Sequence, residues 1–331
     1  MRCVLILSIC LLWLVSQAQE PVAPPEPEPP QKSEGRLLRL KLNQGDVFFY
    51  RDTSKSTIKQ RLGDVVIEQD AVTRYSVEKV AEDGTVTLKA RVMYLHFKQS
   101  FRGEVLEFDS RETGKATLPE PQKLALKRRL EHDLTLTLAP DGAVKDLTGW
   151  REMLKDRLET EKLSGVDPKE SERIHKETLS PLFLRLPEKS VKVGDTWESA
   201  SRGLQGRYRE RRTLQSLGED TFTVKMEVTG FEVTSRQILS QIKRLRERGV
   251  GLTIEGGGEG EVERDAATGL PRKMKSARKW SIKIGGRAGY EVKEESRIGF
   301  SKEMPADVAP RKPAEKPSEE KEPEKPAERS K

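Results

Sequence analysis

Apolar and charged residues alternate along most of the chain after Arg36. Leu38, Leu40 and Leu42 are separated by charged residues, and the same period of two recurs from Val86 to Val92. This alternation predicts antiparallel strands with one buried face and one solvated face. Hairpin turns are predicted at three pairs of residues, because Asp-Gly and similar pairs tolerate positive φ: Asp83-Gly84, Asp141-Gly142 and Thr268-Gly269.

Helical spacing is found in only a few segments. In the segment 148–163, Trp150, Met153, Leu154 and Leu158 repeat at intervals that predict an amphipathic helix. Asp167 followed by Pro168 predicts the start of a second helix. A shorter helix is predicted over 119–132. The pattern over 235–247 fits either a helix or a bulged strand.

The second half of the strand-rich region repeats motifs of the first half in the same order. The Gly-Asp pair at 45–46 corresponds to the pair at 194–195, and TVTLKARV at 85–92 corresponds to TFTVKMEV at 221–228. The fold class predicted is therefore mainly β, with two related, twisted antiparallel sheet units and a central helical insert. The alternative is a single half-barrel with a helical lid.

The composition divides the chain into six segments. We predict a signal peptide over 1–18, a linker over 19–35, a first β unit over 36–147, a helical segment over 148–185, a second β unit over 186–302 and a tail over 303–331. The linker is rich in Pro and Glu, and the tail repeats a Lys-Pro-x-Glu theme with almost no apolar residues. Neither has enough apolar surface to form a core, so both are predicted to be disordered.

The first eighteen residues have the pattern of a secretory signal. An apolar run of twelve residues, 4–15, begins shortly after Arg2, and Ser-Gln-Ala follows it at 16–18. This pattern predicts cleavage between Ala18 and Gln19, and the run is too short for a membrane-spanning helix. Both cysteines, Cys3 and Cys10, lie in this segment. The exported chain would therefore have no disulfide, no cysteine nucleophile and no transmembrane segment.

The charge is unevenly distributed. Residues 36–301 contain 51 of the 61 Lys and Arg and 42 of the 54 Asp and Glu, so this region has a net charge of +9. The two signs are interspersed, which is typical of a solvated surface. The one local basic cluster, 243–248, has no interleaved aromatic residue, so specific nucleic-acid binding is not expected. Other partners stay open: an envelope protein or the cell wall, contacted through the tails, or a lipid.

Three motifs resemble a known family. They are GDxFxY at 45–50, APDGxV at 139–144 and LPEKxVxVGDTW at 186–197. Through them the chain resembles a family of exported bacterial proteins of unknown function that is most familiar from planctomycete-type genomes. The resemblance implies an exported β-rich module, and it implies no activity or site residues.

No motif predicts catalysis or a cofactor. The chain lacks the G-x-S-x-G elbow of hydrolases, and Gly256-Gly257-Gly258 lacks the following Lys-Ser/Thr of a phosphate loop, so a hairpin tip or bulge is expected there. Glu172 and His175 are a single pair with metal-ligand spacing. The carboxylates of Glu259, Glu261, Glu263 and Asp265 have nearby counterions, Arg264 among them. We therefore assign no catalytic residue, no metal ligand and no cofactor.

Two functions remain from the sequence. The favoured hypothesis is a non-enzymatic binding or structural module of the bacterial cell envelope. The alternative is a periplasmic carrier that holds a lipid between a curved sheet and covering helices. Under that alternative, Trp150, Met153, Leu154 and Leu158 would line the ligand. Otherwise the tryptophans at 150, 197 and 280 are expected to be core anchors.

Overall fold

We describe the protein from a computed structural model. It describes residues 35–308, except 61, 113–114, 154–175, 177–182, 184, 203–205 and 235. The predicted signal peptide, its cleavage site at Ala18 and Gln19, the second predicted helix and the Glu172–His175 pair lie outside the described residues.

The described residues form twelve strands and three helices, which turns and loops connect. The helices are α1 (Glu120–Glu131), α2 (Trp150–Met153) and α3 (Arg236–Glu247). The strands are β1 (Val47–Gln60), β2 (Val65–Val80), β3 (Val86–Phe101), β4 (Glu104–Asp109), β5 (Leu134–Leu138), β6 (Val144–Thr148), β7 (Thr196–Arg202), β8 (Gly206–Leu217), β9 (Thr221–Val233), β10 (Leu252–Asp265), β11 (Pro271–Ile284) and β12 (Arg287–Ser301).

All twelve strands belong to one antiparallel sheet. Its order is β6-β5-β3-β2-β1-β12-β11-β10-β9-β8-β7, and β4 pairs with β3 beside this path. The mainly β, antiparallel prediction is confirmed. The two predicted units are continuous, however, because β1 pairs with β12 from Phe49↔Ser301 to Gln60↔Tyr290.

The Gly-Asp turns that precede β1 and β7 have the same geometry. Gly45 and Gly194 have φ angles of 91° and 94°, which glycine adopts without strain. In both turns the following aspartate accepts a hydrogen bond from the backbone N–H three residues earlier, at 2.8 Å for Asp46 and 3.0 Å for Asp195. The repeated motif therefore corresponds to a repeated local structure at the start of each antiparallel meander.

The main core cluster contains residues of both halves. Tyr50 and Leu88 of the first half lie in the same buried cluster as Met226 and Val262 of the second half. A second cluster forms around Trp280, and Ile242 of α3 packs into it. The sequence left the segment 235–247 ambiguous, and over Arg236–Glu247 it is a helix that packs on the sheet through Ile242.

The chain before β1 is extended but has little strand pairing. Leu38, Leu40 and Leu42 are buried as the alternation predicts, yet the segment forms only one isolated bridge, Arg36↔Val191. Instead it crosses the hairpin turns of the sheet, where Leu40 N–H donates to the carbonyl of Pro140 at 2.7 Å. The alternation therefore reflects burial against the ends of the strands.

Ordered contacts extend beyond Ser301. Asp307 accepts a hydrogen bond from Arg51 at 2.7 Å, and Val308 is buried beside Val72 and Tyr94. The predicted tail of residues 303–331 thus begins with a short segment, up to 308, that packs on the sheet.

Gly256, Gly257 and Gly258 lie inside β10, and their pairing with β11 has no register shift, so the prediction of a hairpin tip or bulge there is wrong. Gly256 pairs with Trp280 on β11. The ring of Phe231 stacks on Trp280 with centroids 4.6 Å apart, and a side chain at 256 would collide with Phe231. The lack of a side chain at 256 makes room for this aromatic pair.

Candidate functional site

The most unusual feature of the described residues is a group of charged side chains buried on the core face of the second half. Glu210, Arg212 and Arg264 are 1%, 2% and 0% exposed. Charged residues are almost never buried to this extent unless they are paired. We call this group, with Ser201 and Arg278, the arginine cluster.

Strand alternation places the arginine cluster on one face. Along β8, Tyr208, Glu210, Arg212 and Leu214 are buried, while the intervening residues are more exposed. Because side chains on a strand alternate between faces, both charged residues point into the core with their apolar neighbours. Ser201 comes from β7, Arg264 from β10 and Arg278 from β11.

Glu210 is the centre of the cluster. Its Oε2 accepts a hydrogen bond from Arg212 Nη2 at 3.0 Å, and its Oε1 accepts one from Arg278 Nη2 at 2.8 Å. The hydroxyl of Ser201 also donates to Oε1. Burial by itself raises the pKa of Glu210, but the two arginines and Ser201 outweigh it and leave this pKa below its ordinary value. The carboxylate is therefore ionised and fully engaged.

Arg264 has no carboxylate partner within the part of the chain that the structure describes. Its Nη2 donates to the backbone carbonyl of Phe183 at 3.0 Å, whereas its Nε and Nη1 have no acceptor. Burial lowers the pKa of Arg264 to about 9, although Tyr50 offsets part of this shift. The hydroxyl of Tyr50, itself buried, also has no hydrogen-bond partner.

Arg212 is also incompletely satisfied. Its Nη1 donates to the carbonyl of Arg185 at 3.1 Å, but its Nε has no acceptor. The cluster thus combines three guanidinium groups, on Arg212, Arg264 and Arg278, with the carboxylate of Glu210, and Glu294 lies opposite Arg278 on β12. Two carboxylates leave one of the three positive charges uncompensated, and several N–H donors have no acceptor among the described residues.

A narrow cleft connects the cluster to the surface. It is lined by Arg185, Leu186, Trp197, Arg212, Val224 and Arg264, and its empty space, counted together with open solvent at its mouth, is about 180 Å³. This upper bound is already below the roughly 300–1,000 Å³ of pockets that bind drug-sized molecules. Only a small chemical group fits.

The rim of the cleft is fixed by polar contacts. Arg185 pairs with Asp141 at 3.0 Å and with Glu188 at 2.7 Å, so its own charge is neutralised. The indole N–H of Trp197 donates to the carbonyl of Arg185 at 3.3 Å. The guanidinium groups in the wall of the cleft whose N–H donors have no acceptor among the described residues are the inner ones, on Arg212 and Arg264.

The structure describes only two of the four residues that the carrier hypothesis grouped, Trp150 and Met153. Trp150 is 2% exposed and lies in the main core cluster with Phe183. Met153 ends α2. Leu154 and Leu158 lie outside the described residues. Trp150 thus packs as a core anchor, and so does Trp280, which is fully buried.

Two expectations about single residues need correction. Trp197, expected as a core anchor, packs against the core cluster that contains Leu214 and Val224, but it is only partly buried and also lines the cleft. Arg264, expected as a counterion of neighbouring carboxylates, points to the opposite face of β10 and is buried. The counterion of Asp265 is Arg272, whose Nη2 donates to it at 2.6 Å.

The arginine cluster has no signature in the sequence. Residues 209–212 read Arg-Glu-Arg-Arg, which is typical of an exposed strand. Arg278 is 68 positions away from Glu210. The available signal was the alternation along the strand. Glu210 and Arg212 lie at every second position between Tyr208 and Leu214, so they share the face on which these two residues are buried.

Comparisons with known proteins give one family. The model of a family of unknown function (DUF6263) matches residues 83–271. No curated protein matches the chain. None of the helices within the described residues has the length and apolar character needed to cross a membrane.

Similarity to solved structures is weak. DynF from the dynemicin biosynthesis pathway of Micromonospora chersina is 6% identical, with 81% of this chain and 86% of that chain covered and a TM-score of 0.21. An outer membrane channel from Pseudomonas putida F1 is 8% identical, with 83% and 100% covered and a TM-score of 0.22. The outer membrane protein OprG from Pseudomonas aeruginosa is 7% identical, with 78% and 95% covered and a TM-score of 0.17.

Proposed function

The chain belongs to the family of unknown function DUF6263, and from that premise we propose that it is an exported, non-enzymatic binding module of the bacterial cell envelope. The observation that carries the proposal is the cleft that leads to Arg212 and Arg264. Its buried N–H donors have no acceptor. Buried donors without a partner are rare and costly, so their presence at the end of a cleft favours a ligand.

The chemistry of the cleft favours binding over catalysis. Its side chains are guanidinium, indole and alkyl groups, and none of them is a nucleophile or an effective general base. Glu210, the carboxylate that pairs with Arg212, is held by three donors and has a lowered pKa, which makes it a poor base. The cleft is suited to hold a group without transforming it.

The export part of the proposal rests on the sequence. The pattern over 1–18 predicts a cleaved signal, and the Pro-rich linker and tail suit spacers in the envelope. Expression of the full chain in a Gram-negative host, followed by fractionation and N-terminal sequencing, tests it. We expect a periplasmic protein that begins at Gln19. A matched Ala18→Glu variant should keep its leader, and a cytoplasmic wild-type protein with an intact leader would contradict export.

The carrier hypothesis has less support. Trp150 and Phe183 fill the core instead of facing a cavity. Native and denaturing mass spectra of the exported protein distinguish the two functions. A lipid that is lost on denaturation would favour the carrier, whereas a protein without lipid favours the binding module.

A further inference from the structure

We propose that the cleft binds a small oxyanion, such as a phosphate group, through the free N–H groups of Arg264 and Arg212. This inference rests on the proposed function and names the ligand class of the same site. It is carried by the burial of both arginines, by the position of both in the wall of the cleft and by their missing acceptors.

The number of donors indicates an oxyanion. A guanidinium has five N–H bonds. Arg264 uses its Nη2 for the Phe183 carbonyl, so the single N–H of Nε and the two of Nη1 remain free. Arg212 adds the N–H of its Nε. An oxyanion presents several acceptor oxygens in a small volume, and arginine is the residue that recognises such groups best.

The charge balance indicates the same ligand. Glu210, together with Glu294 opposite Arg278 on β12, compensates two of the three guanidinium charges in the cluster. The remaining positive charge is buried, and the lowered pKa of Arg264 reflects the cost of holding it there. A bound anion would compensate this charge, whereas a neutral or cationic ligand would not.

The position of Trp197 provides a signal for binding. Its ring lines the cleft, and its indole N–H bonds to the carbonyl of Arg185. Occupation of the cleft should therefore change the fluorescence of Trp197. Replacing it with phenylalanine should remove this signal without removing the arginines.

The test is a titration of the full chain with sodium phosphate at constant ionic strength, followed by calorimetry and tryptophan fluorescence. We expect saturable binding by wild type, a Kd at least about tenfold higher for Arg264→Met, and an intermediate loss for Arg264→Lys, which keeps the charge but not the planar fork. Arg209→Met is the matched control, because Arg209 is exposed on the same strand as Arg212. It should bind as wild type does.

Two results would overturn the proposal. One is the absence of saturable binding by the folded wild-type protein, which requires no variant to fold. The other is an unchanged Kd for Arg264→Met with a native circular dichroism spectrum.

A titration with glycerol 3-phosphate distinguishes the source of the phosphate group. An affinity equal to that for inorganic phosphate favours a phosphate carried on a larger molecule, and binding of inorganic phosphate alone favours the free ion. Failure here leaves the export experiment unaffected.

Discussion

The carboxylate of Glu210 lies between the guanidinium groups of Arg212 and Arg278, and all three side chains are at most 9% exposed. In such a site the removal of one charge is costly, because its former partners stay buried without compensation. Glu210 is thus the residue on which the folding of this part of the core depends most. The exposed ion pairs of the protein differ from Glu210 in this respect, because solvent screens their charges and each pair contributes little to the free energy of unfolding.

Glu210→Gln should lower the free energy of unfolding by about 3–5 kcal/mol, because it leaves the buried Arg212 without its carboxylate partner and removes one partner of Arg278. Glu227→Gln on β9 is the control, since Glu227 is 61% exposed and contacts Arg211 at only 3.8 Å. Its effect should stay within about 0.5 kcal/mol. Urea unfolding measures both. Equally small effects of the two substitutions would show that the charge of Glu210 in the arginine cluster does not contribute to stability.

The stabilisation by Glu210 should depend on pH. The pKa of Glu210 is lower in the folded protein than its ordinary value of 4.5. The stabilisation is therefore fully present above about pH 4.5 and is lost as the pH falls through the folded pKa. Urea unfolding of wild type and Glu210→Gln between pH 7 and pH 3 should give a stability difference that narrows below pH 4.5. A constant difference would contradict this linkage.

Arg264→Met should stabilise the ligand-free protein. The substitution removes a buried charge without a carboxylate partner and puts a flexible apolar side chain in its place. It also removes the hydrogen bond to Phe183, which contributes about 1 kcal/mol. The charge is the larger effect, so we expect a net gain of about 1–3 kcal/mol in phosphate-free buffer. Thermal unfolding measures it, and a loss of stability would indicate that Arg264 has a purely structural role.

Among the elements, the strands were the most predictable and their connections the least. Val86, Leu88 and Ala90 alternate with polar residues in the sequence and are all buried in β3. The same pattern in Leu38–Leu42 predicted a strand, but this segment covers the ends of other strands. Alternation reports which side chains are buried and does not report what the backbone bonds to.

The covering segment should contribute to stability as a core element does. Leu40 is 4% exposed and packs in the main core cluster, so Leu40→Ala should lower the free energy of unfolding by about 2–5 kcal/mol. Leu37→Ala is the matched control, because Leu37 is 47% exposed in the same segment. It should change stability by less than about 0.5 kcal/mol. Chemical denaturation compares them, and equal effects would show that the segment is not part of the core.

For the whole molecule, the sequence predicted two related units, and the structure joins them into one sheet. The motifs at 45–46 and 194–195 have matching turn geometry, so this part of the repeat was visible locally. The pairing of β1 with β12 was not visible in the sequence, because it joins residues at least 230 positions apart and has no local signal. The arginine cluster escaped prediction for the same reason, since its partners come from four strands.

The continuous sheet should unfold in one cooperative transition. The pairing of β1 with β12 and the shared core cluster couple the halves, so that neither can lose its structure alone. Leu88→Ala and Val224→Ala, one buried residue in each half, should lower the same single transition in differential scanning calorimetry. Coincident calorimetric and van't Hoff enthalpies would support this coupling. Two transitions, with each variant moving only one, would show that the halves are independent units.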